Sequence, residues 1–423
     1  MKISLLGQFG SGNSGNDGSL ESMLLTLKAL RPDARLLCVC SNPKVIEARF
    51  GIAAMSVGGT AFANRLPQFL NRLLMNLPRR LHLLCSALAQ FGGGDLLVIP
   101  GTGILDDFQE KAFGWPLVIF CWCLAARIRN TKIAFVSIGA GPIDGRLSRW
   151  FLLSAGRMAS YRSYRDDYSM NYMKSLGIDV SKDHRFPDIA FDLPFPVAET
   201  TPPPRAMLSV GVGVMQYRGW RSGDPRAADI YETYVAKISG LVAWLIGEGH
   251  RVCLLIGDTT DERARNDILG RLEKSVAAGD RHHIETGSGG SLHEIMQQIA
   301  TVDITIASRY HNLVCSLKLG RPTISLGYAR KNDDLMEDFG QRTYCNHIET
   351  FEADELISLV RRLIADRSGA ERMIAIANER IRSQLNDQTD LLARHLLCER
   401  MPQQMPNLSA VDAVTPIEAD NRT

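Results

Sequence analysis

The sequence predicts an α/β protein in two halves, each a mostly parallel sheet with helices on both faces. Three observations carry this. Short β-rich runs alternate with stretches of helical apolar spacing, first between residues 3 and 138 and again between 207 and 326; such alternation marks βαβ units. Glycine-containing turns follow the strand candidates of the first half. A proline-rich break, PFPVAETTPPP at 194–204, then splits the pattern, because three successive prolines oppose both helix and inner strand.

In the first half, residues 3–6 read as a strand, 10–18 as a glycine-rich turn and 20–30 as a helix. Further strands are expected at 36–40, 96–100 and 133–138. The apolar run 115–126 (WPLVIFCWCLAA) ends at Arg127 and reaches about half the ~20 residues a membrane span needs, so it reads as a buried helix. After the break, strands are expected at 207–214, 251–256, 303–307 and 323–326. Helices are expected near 230–247, 262–276, 291–300 and 311–319. Residues 353–367 and 370–400 carry apolar positions at three- and four-residue spacing and read as helices, whereas 401–423 has no periodicity and reads as a disordered tail. The resulting division is 1–195, a linker at 196–205, a second unit at 206–366, a C-terminal helix at 367–400 and the tail.

Composition removes several classes. The chain has 423 residues, 48 Lys+Arg against 46 Asp+Glu, and 45% hydrophobic residues. A net charge of +2 argues against a dedicated nucleic-acid binder, and the apolar content argues against disorder of the whole chain. Nine cysteines show no metal-ligand spacing, and the pairs Cys38/Cys40 and Cys121/Cys123 lie in apolar runs, where cysteine acts as a small hydrophobe. Free buried thiols, no metal and a cytoplasmic location are the expectation. The opening MKISLLGQFGSGNSG is too short in apolar residues for a secretory signal.

In parallel α/β sheets, ligands bind beyond the carboxyl ends of strands, where glycines let backbone N–H groups approach an anion. Four segments fit: GQFGSGNSGNDG (7–18), PGTGILDD (100–107), SIGAGPIDG (137–145) and SVGVGVMQYRGW (209–220). None is a P-loop, and the first lacks the G-x-G-x-x-G dinucleotide fingerprint. A sharper cluster lies within 307–335. There Arg309 and His311 fall at a strand–helix junction and Lys331 follows the next strand. A guanidinium fork suits carboxylate or phosphate, and histidine exchanges protons near neutral pH. An anion site is expected here.

The ordered series of motifs resembles the polysaccharide pyruvyl transferase family. It comprises the first turn with Asn13 and Asp17, GTGILDD, RDDYS (165–169) with Gly177 and PDIAF (187–191), and S-R-x-H (308–311) with G-R-P (320–322), Tyr328 and Lys331. The likeness covers roughly residues 1–345. Here Asn16 separates Gly15 from Asp17 where the family usually reads N-x-G-D, and Pro100-Gly101-Thr102-Gly103 stands where it usually reads G-G-G. The resemblance implies two Rossmann-like domains facing a central cleft, GT-B-like, with C-terminal helices. It also implies transfer of a pyruvyl group from phosphoenolpyruvate, a donor substrate and not a cofactor, to a saccharide in cell-surface or extracellular polysaccharide biosynthesis. On that reading Arg309, Lys331 and Ser308 bind the donor, with Arg218 and Arg165 as further cations. His311 is the general acid or base. Asn13, Asn16, Gly101 and Gly103 line the acceptor side, and Asp17 is either a base or the cap of the first helix. Asp106 and Asp107 either line the cleft or cap a helix. A nucleotide-sugar glycosyltransferase and a non-catalytic saccharide-binding module are the alternatives.

Between Phe50 and Gly94 there is no Asp or Glu, yet Arg65, Arg72, Arg79 and Arg80 alternate with leucines at helical spacing. A basic amphipathic helix of this kind lies on anionic membranes; a core-facing helix with a solvated basic edge fits the same pattern. Membrane contact would place the protein peripherally at the inner face and make the acceptor a lipid-linked sugar.

Overall fold

In the computed structural model, the described residues are 1–58, 77–90, 96–196, 207–221 and 223–397. Most of the basic stretch, nearly all of the proline linker and the tail lie outside them, as do the side chains of Arg79 and Arg80.

The first sheet contains β1 (Lys2–Leu6), β2 (Arg35–Cys40), β3 (Ala53–Ser56), β4 (Leu96–Pro100), β5 (Lys132–Ile138), β6 (Tyr161–Tyr164) and β7 (His184–Arg185), in the order β3-β2-β1-β4-β5-β6-β7. The second contains β8 (Ser209–Gly213), β9 (Arg251–Leu255), β10 (Ile284–Thr286), β11 (Ile304–Ala307), β12 (Thr323–Gly327) and β13 (Cys345–His347), in the order β10-β9-β8-β11-β12-β13. Every pairing in both is parallel. The central strands β4, β11 and β12 are buried along their whole length; β4 (LLVIP) reads as a continuous apolar run, whereas β11 and β12 bury Thr305 and Thr323, whose hydroxyls lie 2.9 Å apart. In each sheet the strand order reverses beside its first strand, at β1/β4 and β8/β11, and such points are where α/β sheets bind ligands. Two Rossmann-like sheets are the expected fold.

The helix Arg367–His395 ties the halves together. Its Ala370, Ile374, Ala377, Ile381 and Leu385 belong to the core of the second sheet, and Leu392 joins a core of the first. Between these apolar segments, buried Gln388 donates to Ser137 Oγ at 2.8 Å and Ser163 Oγ at 3.1 Å, satisfying a polar group that would otherwise be costly to bury.

Two local readings need correction. The first helix runs Ser14–Leu30, so it starts inside the segment expected to be a turn; Asn13 caps it, accepting from Gly15 N at 3.0 Å and Asn16 N at 3.2 Å. Elements left unassigned also form, among them the helices Pro43–Phe50, Arg146–Met158, Asp167–Ser175 and Arg330–Asp338. No described helix is long and apolar enough to cross a membrane.

Candidate functional site

The carboxyl ends of the two sheets meet. The first turn bonds to the turn after β9: Ser14 N donates to Gly257 O at 3.2 Å, Thr259 N donates to Gly12 O at 3.2 Å, and Asn13 Nδ2 donates to Asp258 Oδ2 at 3.2 Å. Asn13 is therefore both a helix cap and an inter-domain contact. Asp17 is not the cap. It is buried, accepts from Gly10 N at 2.8 Å and pairs with Arg49 at 3.3 Å. Burial raises its pKa against the pull of the Gly10 N–H and Arg49. Asn16 is half-buried on the same helix turn.

His311 closes against this turn. Its imidazole lies directly over Gly15, where a β-carbon would collide with the ring atoms. The buried Nε2 has no hydrogen-bond partner among the described residues and lies 3.7 Å from Asp188 Oδ2. Asp188 in turn accepts from Arg165 at 2.9 Å, and the Arg165 guanidinium stacks 4.1 Å from the Tyr310 ring. Burial lowers the His311 pKa to about 4; Asp188 opposes this, and Arg165, Lys331 and Arg309 reinforce it. The ring is neutral at physiological pH.

Three cation–carboxylate pairs surround it. Arg309 is held bidentately by the fully buried Asp261, at 2.9 and 2.7 Å, and Asp261 also accepts from Gln216 N at 2.9 Å and Gly257 N at 3.4 Å. Lys331 Nζ lies 3.8 Å from Asp106 Oδ2. A β-carbon at Gly103 would lie 3.2 Å from Asp106 Oδ2 and 3.6 Å from both Arg165 Nη2 and Lys331 Nζ. That glycine therefore marks where the two halves converge. Of the paired aspartates, Asp106 lines the cleft, while Asp107 accepts from Asp144 N at 3.0 Å and Gly145 N at 2.8 Å, at the start of the helix Arg146–Met158. Burial raises the Asp106 pKa, with Lys331 pulling it down.

The helices Tyr310–Lys318 and Arg330–Asp338 both begin at this site, and neither has a side-chain cap. Helix N-termini with cations beside them suit an anion. Other expected residues stand further back. Ser308 is fully buried, with its hydroxyl 3.3 Å from Tyr234 OH. Gly101 has φ +49° and packs on Ile189 and Ser19. Arg218 stacks 4.4 Å from the Tyr231 ring, and none of the contacts joining Arg165, His311 and Lys331 includes it. The sequence reading omitted Asp188 and Asp261. Both follow strand ends, in PDIAF and GDTTD, and that placement was the available signal. Among the described residues no cluster of three metal-ligating side chains occurs.

The neutral ring has a consequence for stability. Between pH 6.5 and about 4 the unfolded chain carries a proton on this imidazole that the folded chain does not. The stability contributed by burying the neutral ring is thus complete above pH 6.5 and lost as pH falls toward 4. His311→Gln is expected to flatten the stability–pH slope in that window by about 1.4 kcal/mol per pH unit at most, measured by urea unfolding. Parallel slopes for the two proteins would contradict a buried neutral ring.

A profile of the polysaccharide pyruvyl transferase family matches residues 13–330. No curated protein matched the chain in sequence. Among solved structures, HepE from Anabaena in complex with UDP and glucose is similar at TM-score 0.58 and 12% identity, over 94% of this chain and 99% of that one. A glycosyltransferase from Rickettsia africae is similar at 0.57 and 11%, covering 94% and 98%. The UDP-GlcNAc 2-epimerase from Neisseria meningitidis is similar at 0.56 and 11%, covering 92% and 100%. These neighbours establish a GT-B-like fold. With the family profile spanning most of the chain, this protein belongs to the polysaccharide pyruvyl transferase family and is an enzyme of that kind.

Proposed function

We propose that the enzyme transfers the pyruvyl group of phosphoenolpyruvate to two hydroxyls of a saccharide, forming a ketal and releasing phosphate. The observation that carries this is the placement of a neutral His311, with an unpaired Nε2, among Arg165, Arg309 and Lys331 at two uncapped helix N-termini. The donor is an enol ester bearing a carboxylate and a phosphate. Its methylene gains a proton, a sugar hydroxyl adds to the central carbon and loses its proton, phosphate departs, and a second hydroxyl closes the ketal. One hydroxyl proton replaces that taken up by the methylene, and the other leaves with phosphate.

In this scheme Arg309, its plane fixed by Asp261, and Lys331 hold the donor anions, with Arg165 lending positive potential from its pair with Asp188. His311 moves the proton at Nε2. An anionic donor offsets the neighbouring cations and so raises the basicity of the ring, which would couple donor binding to proton uptake. The acceptor would meet this site beside Asn16 and Gly103, since Gly101 packs on Ile189 and the Asn13 side chain is engaged by the helix and Asp258; a lipid-linked saccharide is the acceptor class we favour, for use in exopolysaccharide assembly. The nucleotide-sugar alternative has the fold likeness in its favour, and the cations at the helix N-termini suit a diphosphate too, but the family profile favours pyruvyl transfer.

Calorimetric titration separates the two. Phosphoenolpyruvate should bind, and UDP should neither bind nor compete. Lys331→Ala should weaken the donor by about 10- to 100-fold, the loss of one charge-assisted hydrogen bond. Tight UDP binding with no heat from phosphoenolpyruvate would overturn the assignment.

A further inference from the structure

The outer face of the first domain presents aromatic side chains to solvent beside arginines. The helices Trp115–Ile128 and Arg146–Met158 pack together and leave Trp150 54%, Phe113 51% and Leu147 40% exposed. These aromatics form one cluster. Phe113 lies 6.2 Å from Phe151, ring to ring, and Trp150 lies 5.3 Å from Phe151 and 5.2 Å from Phe120. Along the helix, Arg146, Trp150 and Arg157 follow at spacings of four and seven, so they share one stripe, and all three are exposed. Between residues 111 and 160 there are seven Lys and Arg against a single carboxylate, Asp144, which accepts from Arg221 Nε at 2.9 Å.

We propose that Phe113, Leu147, Trp150, Arg146 and Arg157 form a docking surface for an anionic lipid bilayer. An indole flanked by guanidinium groups matches the headgroup region, where amphipathic rings partition and each cation gains from anionic lipid. A second copy of the chain fits less well, because a two-fold interface centred on this stripe would set arginines against arginines of the other copy. The surface uses none of the residues of the basic stretch 65–80. The chain links it to the cleft, residues 106–113 running from Asp106, which faces Lys331, to Phe113 in the cluster. A docked bilayer would thus bring a lipid-anchored saccharide toward the site. That consequence rests on the pyruvyl-transfer reading, whereas the docking itself does not.

The test is co-sedimentation of the full chain with vesicles of phosphatidylcholine alone or with one-third phosphatidylglycerol. Wild type should sediment with the anionic vesicles only. Affinity should fall about tenfold or more in Phe113→Ser/Trp150→Ser and, as a variant that leaves the aromatic packing intact, in Arg146→Glu/Arg157→Gln. Phosphate release with a soluble acceptor should persist in both. Absence of sedimentation, equal sedimentation with neutral vesicles, or wild-type binding by both variants would overturn the proposal. So would a concentration-dependent dimer abolished by Trp150→Ser. Wild type that releases phosphate but binds no anionic vesicles removes only the docking; wild type that binds them without releasing phosphate removes only the transfer.

Discussion

Alanine at Gly15 is expected to cost nearly as much turnover as removing His311, about 10²- to 10⁴-fold, while leaving the first helix intact. The two effects pull in opposite directions. Within a helix, alanine is favoured over glycine by about 1 kcal/mol, so the first turn of Ser14–Leu30 should not weaken. Yet its β-carbon would occupy the space of the His311 imidazole. Either the ring must turn away or the contact between the domains must open. The second course breaks the Ser14–Gly257 and Gly12–Thr259 hydrogen bonds as well. A variant with near wild-type Tm and lost turnover is the expected result. Wild-type turnover would mean that His311 does not work in the position seen here.

Asp261→Ala is expected to lower stability by about 3–5 kcal/mol, because it strands the Arg309 guanidinium and two backbone N–H groups in a dry setting. Asp261 joins three turns of the second domain: Arg309 after β11, Gln216 after β8 and Gly257 after β9. Adding Arg309→Met to Asp261→Ala should recover part of the loss, since the uncompensated charge is then gone. Urea unfolding of wild type, both single variants and the double variant completes the cycle. A loss under about 1 kcal/mol for Asp261→Ala would show that the pair is solvated and weak. Arg309 would then lack the fixed orientation on which the proposed donor binding depends.

The sequence exposed the sheets more fully than the site. Strand β4 (LLVIP) is an uninterrupted apolar run buried along its whole length, so composition alone locates it. Short edge elements such as β3 and β7 have only four and two residues, too few for periodicity to register. The start of the first helix was obscured by its glycines, which read as a turn until Asn13 is seen capping it. At the site, Arg309, His311 and Lys331 were legible because cations and a histidine at strand ends stand out by residue type. Their partners Asp261, Asp188 and Asp106 were not. An aspartate after a strand reads equally well as a cap, and Asp107 accepts from the backbone of the turn before a helix while its neighbour Asp106 faces Lys331. Sequence places both at one strand end; only the packing of two domains decides which of them meets a cation.

The most direct test of the account is a product analysis. The enzyme is incubated with phosphoenolpyruvate and saccharides presenting a suitable pair of hydroxyls, and inorganic phosphate and product mass are followed together. One pyruvate ketal on the saccharide is expected for each phosphate released, with both signals lost in His311→Ala. Phosphate release that continues unchanged in His311→Ala, or a saccharide product carrying a sugar in place of a ketal, would contradict it.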